Sequence, residues 1–211
     1  ACAPYRRLHL CVRNLENINI NKKIDNDTLL AEVCLAAKYE GDLIKTHYTP
    51  YQHKYDDSPS QICTMLARSF ADIGDIVRGR DLYGGSKKEK EKREKLENNL
   101  KEIFKKIHSG LTTTKGAQTY YQDKNGGNFF KLREDWWNAN RETVWKAITC
   151  GAHGSYFHAT CDSGDGKSQY QTRNQCRCND DKPKAGNGDV TIVPTYFDYV
   201  PQYLRWFEEW A

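Results

Sequence analysis

The sequence predicts a mostly α-helical protein that disulfide bonds hold together. Apolar residues recur every three to four positions in several long segments, which is typical of amphipathic helices. The chain carries eight cysteines in 211 residues. Aromatic residues make up 12% of it, so the chain is expected to fold although 28% of its residues are charged. This length suffices for one domain, or for two small subdomains that share a core.

The first long helix is predicted to run from Thr28 to about His47, with Asp27 as its N-cap. Apolar positions at i, i+3, i+4 and i+7 place one face of this helix against a core. Residues 48–57 are polar and are predicted to form a turn. The apolar face of the helix comprises Leu30, Val33, Cys34 and Ala37.

A second helix is predicted to begin at Ser58-Pro59 and to end near Gly79. A serine followed by proline is typical of a helix start, because the serine hydroxyl caps the first turn and proline lacks an N–H that would stay unpaired there. The long loops between helices are predicted to be irregular. The buried stripe of the second helix comprises Ile62, Met65, Leu66, Phe70, Ile73 and Val77.

A third helix is predicted from about Ser86 to His108 and a fourth from about Phe129 to Cys150. The intervening residues 109–128 are rich in Gly and Thr without apolar periodicity, which indicates an exposed loop. The narrow apolar face of the third helix comprises Leu96, Leu100, Ile103, Phe104 and Ile107. The predicted core face of the fourth comprises Leu132, Trp136, Ala139, Thr143 and Ala147.

Aromatic residues cluster at the C-terminal end, where the pattern becomes helical again after Pro201. Their spacing favours a place in the core over a surface for stacking sugars or bases. The adjacent Trp136 and Trp137 cannot share one helix face, so Trp137 is predicted to lie at a subdomain junction or to be exposed. The C-terminal cluster comprises Tyr196, Phe197, Tyr199, Tyr203, Trp206, Phe207 and Trp210.

The even number of cysteines favours an oxidised protein, with reduced buried thiols or a zinc site as alternatives. Three of the cysteines lie in the irregular segment 151–188, where cross-links can substitute for a core. A zinc site there is disfavoured because Cys176 and Cys178 are separated by one residue, which is awkward for two tetrahedral ligands. We therefore predict no metal and no cofactor. The residues of that rejected site are Cys161, Cys176, Cys178, His153 and His158.

Helix geometry predicts one disulfide bond, between Cys63 and Cys150. Cys63 lies in the first turns of the second helix, and Cys150 ends the fourth. If these helices pack antiparallel, the start of one meets the end of the other and the two sulfur atoms come within bonding distance.

The sequence shows no catalytic motif. The six histidines are scattered, and neither an H-E-x-x-H nor a G-x-S-x-G pattern occurs. Residues 164–168 resemble the end of a phosphate-binding loop, but Cys161 stands where the first glycine belongs. We therefore predict no catalytic residues and no enzyme.

Positive charge is concentrated on the predicted third helix. Nine basic residues between Lys87 and Lys106 face five glutamates, a surplus that equals the net charge of +4 of the whole chain. A row of ammonium groups on an exposed helix would follow a linear polyanion and release its counterions. The alternative is a helix stabilised by Glu–Lys pairs at i, i+4. The candidate glycan-binding residues are Lys87, Lys88, Lys90, Lys92, Arg93, Lys95, Lys101, Lys105 and Lys106.

Six blocks of sequence resemble a known family. They are ACAPYRRLHLC at the start, VCLAAKYEGDLI from Val33, ARSFADIGDIVRGRDLY from Ala67, LREDWWNANRETVWKAITC ending at Cys150, QCRC ending at Cys178 and VPTYFDYVPQYLRWFEEWA at the end. Together they closely resemble a Duffy-binding-like domain of the alpha class, from the erythrocyte membrane protein 1 variant adhesins of malaria parasites.

The resemblance implies a non-catalytic, antigenically variable adhesion module on the outer face of the infected red-cell membrane. Domains of this class are associated with rosetting and with host receptors or sulfated glycans such as heparan sulfate. The resemblance implies neither nucleic-acid binding nor membrane insertion by this segment, and it also pairs Cys63 with Cys150. It divides the chain into the end of a first subdomain, 1–57, and a second subdomain, 58–211, that runs into a truncated third. A generic polyanion-binding or nucleic-acid-binding helical domain is the alternative.

Overall fold

The computed structural model describes residues 2–22, 24–55, 60–111, 116–123, 126–154, 156, 159–162, 168–172, 175–178 and 193–211. It confirms a mostly helical fold with disulfide bonds. Its long helices are α3 (Asn26–Tyr55), α4 (Ser60–Arg78), α5 (Lys87–Gly110) and α7 (Phe130–Ile148). Shorter helices are α1 (Tyr5–Leu8), α2 (Arg13–Glu16), α6 (Ala117–Tyr120) and α8 (Gln202–Trp210), and one turn of 3-10 helix spans Phe197–Tyr199. Two short antiparallel strands, β1 (Cys161–Asp162) and β2 (Gln169–Tyr170), pair Cys161 with Tyr170.

Helix α3 differs from its prediction at both ends. Asp25, not Asp27, caps it, because the Asp25 carboxylate accepts a hydrogen bond from the Thr28 N–H at 3.0 Å. The helix continues to Tyr55, so the turn predicted from residue 48 is wrong over most of its length. Tyr48 explains the extension, because its side chain is buried in the core and stabilises the longer helix. The predicted start at Ser58-Pro59 and the subdomain boundary at residue 57 lie outside the described residues.

Helix α4 runs through the centre of the core. Its predicted stripe is buried, with Met65 partly so, and the helix ends at Arg78, before Gly79, as predicted. Helix α7 packs antiparallel to it, and the Phe70 ring lies 5.0 Å from that of Trp137. At Gly74 a Cβ atom would come within 2.7 Å of the Trp137 ring. Only glycine therefore permits this close approach of α4 and α7.

The buried face of α7 is wider than predicted. Ala139 and Thr143 are exposed, whereas Trp137 is fully buried and its Nε1–H donates to Asp198 Oδ2 at 2.9 Å. Of the two predicted places for Trp137, a subdomain junction or an exposed position, the exposed one is therefore wrong. The reason is that α7 packs between α3 and α4, which cover two sides of the helix at once. Its buried residues are Leu132, Arg133, Trp136, Trp137, Val144, Trp145 and Ile148.

The disulfide bonds join Cys63 to Cys176 and Cys161 to Cys178. The predicted Cys63–Cys150 bond is wrong, although the antiparallel packing behind it is correct. Cys150 follows the end of α7 and its side chain is exposed. The chain after α7 folds back over the helix end instead, where the Trp145 Nε1–H donates to the Cys176 carbonyl at 2.9 Å. This return places Cys176, and not Cys150, beside Cys63.

Helix α8 is fixed to α4 by buried charges. Arg205 contacts Asp72 at 2.8 Å and Asp75 at 2.5 Å, and Arg6 from α1 contacts Asp72 at 2.8 Å. Burial by itself would raise the pKa of the Asp72 carboxyl, but Arg6 and Arg205 outweigh it and hold that pKa below its ordinary value. At Asp75 burial dominates, so its pKa is raised.

The C-terminal aromatic residues contradict their prediction. Trp206 is buried, but Phe207 is 72% exposed and Trp210 is 62% exposed. The polar side of α8, with Gln202 and Arg205, faces the aspartates of α4, and this turns the aromatic side outward. The further exposed members of the predicted cluster are Tyr196, Tyr199 and Tyr203.

Replacing Cys63 and Cys176 by Ala should lower the free energy of unfolding by roughly 4 kcal/mol, because the bond closes a loop with a sequence separation of 113 residues. Urea unfolding of the oxidised protein measures this loss. Cys150→Ala is the control, and it should leave stability unchanged because its thiol is exposed and unpaired. A stability loss in the control that matched the double variant, or a peptide map joining Cys63 to Cys150, would contradict the assignment.

Asp72→Asn should destabilise the protein by about 3 kcal/mol at pH 7, because Arg6 and Arg205 each lose one of two carboxylate partners, which leaves Glu209 to Arg6 and Asp75 to Arg205. The folded pKa of Asp72 lies below its ordinary value of 3.8, so its contribution is present above about pH 4 and is lost as the pH falls. The difference in unfolding free energy between the wild type and the variant should therefore shrink as the pH falls from 5 to 2. Each unit by which folding lowers the pKa of Asp72 accounts for about 1.4 kcal/mol of that change. Asp42→Asn, which removes one carboxylate at an exposed position, is the control and should change the stability at pH 7 much less. A constant difference across that range would refute the network.

Candidate functional site

Helix α5, which carries the predicted basic run, begins where the sequence predicts. Ser86 caps it: the Ser86 hydroxyl accepts from the Glu89 N–H, and the Glu89 carboxylate accepts from the Ser86 N–H at 2.6 Å. These bonds stabilise the charged carboxylate and lower the pKa of Glu89. Because this capping box needs only residues three apart, the sequence alone determines the start of the helix.

One face of α5 packs on the core, as predicted. Leu96, Leu100, Ile103, Phe104 and Ile107 are all buried. The helix is held from two sides, since Arg133 of α7 contacts Glu97 at 2.7 Å and the Asn99 amide donates to the Glu16 carbonyl at 3.4 Å. The remaining faces of α5 carry the charged side chains and are open to solvent.

The structure places the nine predicted basic residues in different settings. Lys106 donates to the Ile20 and Lys22 carbonyls, so its ammonium is engaged within the protein. Lys90 lies 4.0 Å from Glu94 and Lys105 lies 3.9 Å from Glu102. Both pairs are largely exposed and stabilise the helix little. The exposed members of the set are Lys87, Lys88, Lys90, Lys92, Lys95 and Lys105, while Arg93 and Lys101 are half-buried.

Two clefts flank the first half of α5, and their charges differ. The first cleft, of about 380 Å³, lies between α5 and residues 76–81 and is lined by Asp81, Glu94 and Glu97 against Arg93 and Lys101. The second cleft, of about 620 Å³, lies between α5 and residues 7–17 and shares Arg93 with the first. We call this second cleft the basic groove. Its charged lining comprises Arg7, Arg13, Lys92, Arg93 and Lys95 against Glu16 and Glu89.

The basic groove contains a residue that the sequence pattern did not reveal. Arg13 lies on α2, a helix of four residues, and reaches the groove only because α2 packs along α5. A single arginine far from the basic run in sequence produces no pattern, so no sequence signal pointed to it. His9, one of the scattered histidines, lines the same groove.

A second exposed surface, the tyrosine surface, is formed by Tyr196, Tyr199 and Tyr203. The Arg141 guanidinium lies 5.7 Å from the ring centre of Tyr196 and 5.3 Å from that of Tyr199. Asp198 lies beneath and accepts from Arg141 at 2.7 Å, which fixes the arginine between the rings. Burial raises the pKa of Tyr199 above its ordinary value of 10. The surface offers aromatic faces with a fixed cation between them.

The described residues offer no metal-binding arrangement. No group of three or more His, Cys, Asp or Glu that could hold a metal ion occurs among them. Cys161, Cys176 and Cys178 of the rejected zinc site are all disulfide-bonded, and His158 lies outside the described part. In the same part of the chain, none of the helices has the length and apolar character that a bilayer crossing requires.

The Duffy binding domain family model matches residues 1–205. The chain belongs to this family. Curated relatives include the Duffy receptor beta form of Plasmodium knowlesi, 24% identical over 218 residues, and the Duffy receptor of Plasmodium vivax, 28% identical over 156 residues. The first match covers all of this chain, and the second covers 70% of it. The chain spans only 14% and 12% of those two receptors.

Solved structures of Duffy-binding-like domains share the fold. The NTS-DBL1(alpha-1) domain of the Plasmodium falciparum membrane protein 1 from the varO strain is 41% identical, with a TM-score of 0.77. That match covers all of this chain and 43% of the solved one. The ICAM-1-binding PfEMP1 IT4var13 DBLbeta domain is 33% identical, with a TM-score of 0.68, over 97% of this chain and 41% of its own. These findings confirm the resemblance on which the family prediction depended.

The blocks that carry the family resemblance contain the buried framework of this Duffy-binding-like chain. The block from Ala67 supplies Asp72 and Asp75, the block ending at Cys150 supplies Trp137, and the last block supplies Arg205. Helix α5 and the loop after it lie between blocks. The candidate contacts on α5 therefore lie outside these blocks, whereas the tyrosine surface and Arg7 and His9 of the basic groove lie within them.

Proposed function

We propose that this chain is a non-catalytic adhesion domain that binds receptors on host cells. The observation that carries the proposal is membership of the Duffy binding domain family over residues 1–205. It is supported by the 41% identity to an alpha-1 domain of a Plasmodium falciparum membrane protein 1. A related DBLbeta domain, 33% identical, has been solved bound to ICAM-1. For this chain we propose a partner of the same class, a protein on the host-cell surface, and we do not propose ICAM-1 itself.

The proposal includes the setting in which binding takes place. We place the domain on the outer face of the infected red-cell membrane, as an antigenically variable module that contributes to rosetting. The two disulfide bonds support an oxidising, extracellular environment, since such bonds persist there and are rare in the cytosol. The same bonds argue against the alternative of a nucleic-acid-binding domain.

A sulfated glycan is the second proposed partner. It is supported by the exposed cations of α5, which outnumber the glutamates on that helix and are carried on a rigid, capped scaffold. Cations held in one row attract a linear polyanion and release its condensed counterions on binding. Because the tyrosine surface lies apart from α5 in the fold, glycan and protein receptor could be bound by different surfaces.

The purified, oxidised chain should bind uninfected red cells in a saturable manner. Protease treatment of the cells should abolish binding to a protein receptor, and heparinase treatment should abolish binding through sulfated glycans. Flow cytometry with labelled protein measures both. A reduced and alkylated sample is the control, because it lacks the Cys63–Cys176 bond that holds the fold. If the oxidised chain bound no better than this control to any host cell type screened, the adhesion proposal would fail.

Replacing Lys88, Lys92, Lys101 and Lys105 by Glu should move elution from heparin to lower salt, because the variant has fewer cations that can pair with sulfate groups. The slope of log K against log salt should fall by about 1 for each such pairing that the substitutions remove. The control carries the same charge change at Lys38, Lys45, Lys131 and Lys146, which lie outside α5. Equal shifts in both variants would show that overall charge, and not α5, governs retention.

A further inference from the structure

We infer that a sulfated glycan segment binds in the basic groove between α5 and residues 7–17, with Arg13, Lys92 and Lys95 as its main contacts. The inference depends on the glycan part of the proposed function and deepens it. The proposed glycan site then lies on one side of α5 and does not follow the whole row of outward lysines. Arg13 of α2 is an additional contact in this site.

Helical spacing shows which side of α5 faces the groove. Residues 88, 92, 95, 99 and 106 succeed one another at intervals of three, four or seven, so they lie on one side of the helix. Two of them fix the direction of that side. Asn99 donates to the Glu16 carbonyl at 3.4 Å, and Lys106 donates to the Ile20 carbonyl. Lys92 and Lys95, on the same side, therefore project toward α2 and line the groove with Arg13.

The cations of the groove outnumber its carboxylates. In the part of the chain that the structure describes, no carboxylate oxygen lies within 4.0 Å of a charged nitrogen of Arg13, Lys92, Arg93 or Lys95. Of the two glutamates in the lining, Glu89 accepts from the N–H of Ser86 and offsets part of the charge of Lys92. Arg7 differs from the others, because Asp81 neutralises it at 2.6 Å. An anionic ligand would supply the charge that the protein does not.

The neighbouring cleft beside α5 gives a contrast on the same helix. The cleft there has three carboxylates, Asp81, Glu94 and Glu97, against two cations. Lys101 lines that cleft, and Lys90 and Lys105 lie beside glutamates. A polyanion would meet repulsion from these carboxylates, whereas in the basic groove it meets a net surplus of cations.

The dimensions and chemistry of the groove suit a short stretch of sulfated saccharide. Its volume of about 620 Å³ lies within the usual range for ligand sites, about 300–1,000 Å³. An arginine fork binds an oxyanion through two parallel N–H groups, and lysines act as point charges. His9 and Asn17 in the lining provide further polar contacts for hydroxyl groups. The groove is open at its sides, so a chain of sugars could extend through it.

Two triple variants with the same charge change test the inference on immobilised heparin. The groove variant replaces Arg13, Lys92 and Lys95 by Gln; the matched control replaces Lys38, Lys131 and Lys146, which lie on α3 and α7, by Gln. The expected result is a fall of about 3 in the slope of log K against log salt for the groove variant, and of less than about 1 for the control. Arg13→Gln alone should lower the slope by about 1, while Arg13→Lys should retain it.

The outcomes separate the groove from the proposed function. If both triple variants shift equally, or if Arg13→Gln leaves the slope unchanged, the groove is refuted, while the four-lysine variant of α5 still tests heparin binding by that helix. If the wild-type chain is not retained at all, both the glycan proposal and the groove fail, and receptor binding on cells is unaffected by that result. Arg13, Lys92 and Lys95 are exposed, so unchanged far-UV circular dichroism is expected for every variant. The single Arg13 variants test the groove without touching α5.

Discussion

Two buried carboxylates on α4 hold together parts of the chain that lie far apart in sequence. Asp72 receives Arg6 from the N-terminal segment and Arg205 from α8, and the Trp206 indole N–H also points to it at 3.4 Å. Removing such charges from water costs several kcal/mol per ion, so each must be matched by its partners in the folded state. The network fixes how α1 and α8 sit on α4, because each of these helices contributes an arginine to the same buried carboxylate.

A second set of contacts continues this framework along α7. Asp198 accepts from the buried Trp137 and from Arg141, while Arg133 donates to the Val77 carbonyl at the end of α4 and contacts Glu97 of α5. The last carbonyls of α4 lack partners within their own helix, so Arg133 supplies hydrogen bonds that the helix end requires. The same side chain attaches α5 to the core. The basic helix is thus held firmly while most of its charged residues remain in solvent.

This division between framework and surface explains how a single fold could carry different binding specificities. The interior is determined by charge pairs and tryptophan packing, and it leaves most outward residues of α5 without a structural task. Residues of that kind can change with little effect on stability, since surface substitutions usually alter it by less than about 0.5 kcal/mol. Binding sites placed there are therefore free to differ among domains that share one framework.

The sequence by itself determined what depends on neighbours along the chain. The start of α5 at Ser86, the end of α4 before Gly79 and the apolar face of α5 follow from capping and periodicity. Tertiary structure decided the partner of Cys63, the extension of α3 past His47 and the outward face of α8, since each depends on a segment remote in sequence. The even cysteine count indicated oxidation, but only the return of the chain over α7 selects Cys176. Likewise the basic run was visible in the sequence, whereas the groove required α2 to bring Arg13 alongside it.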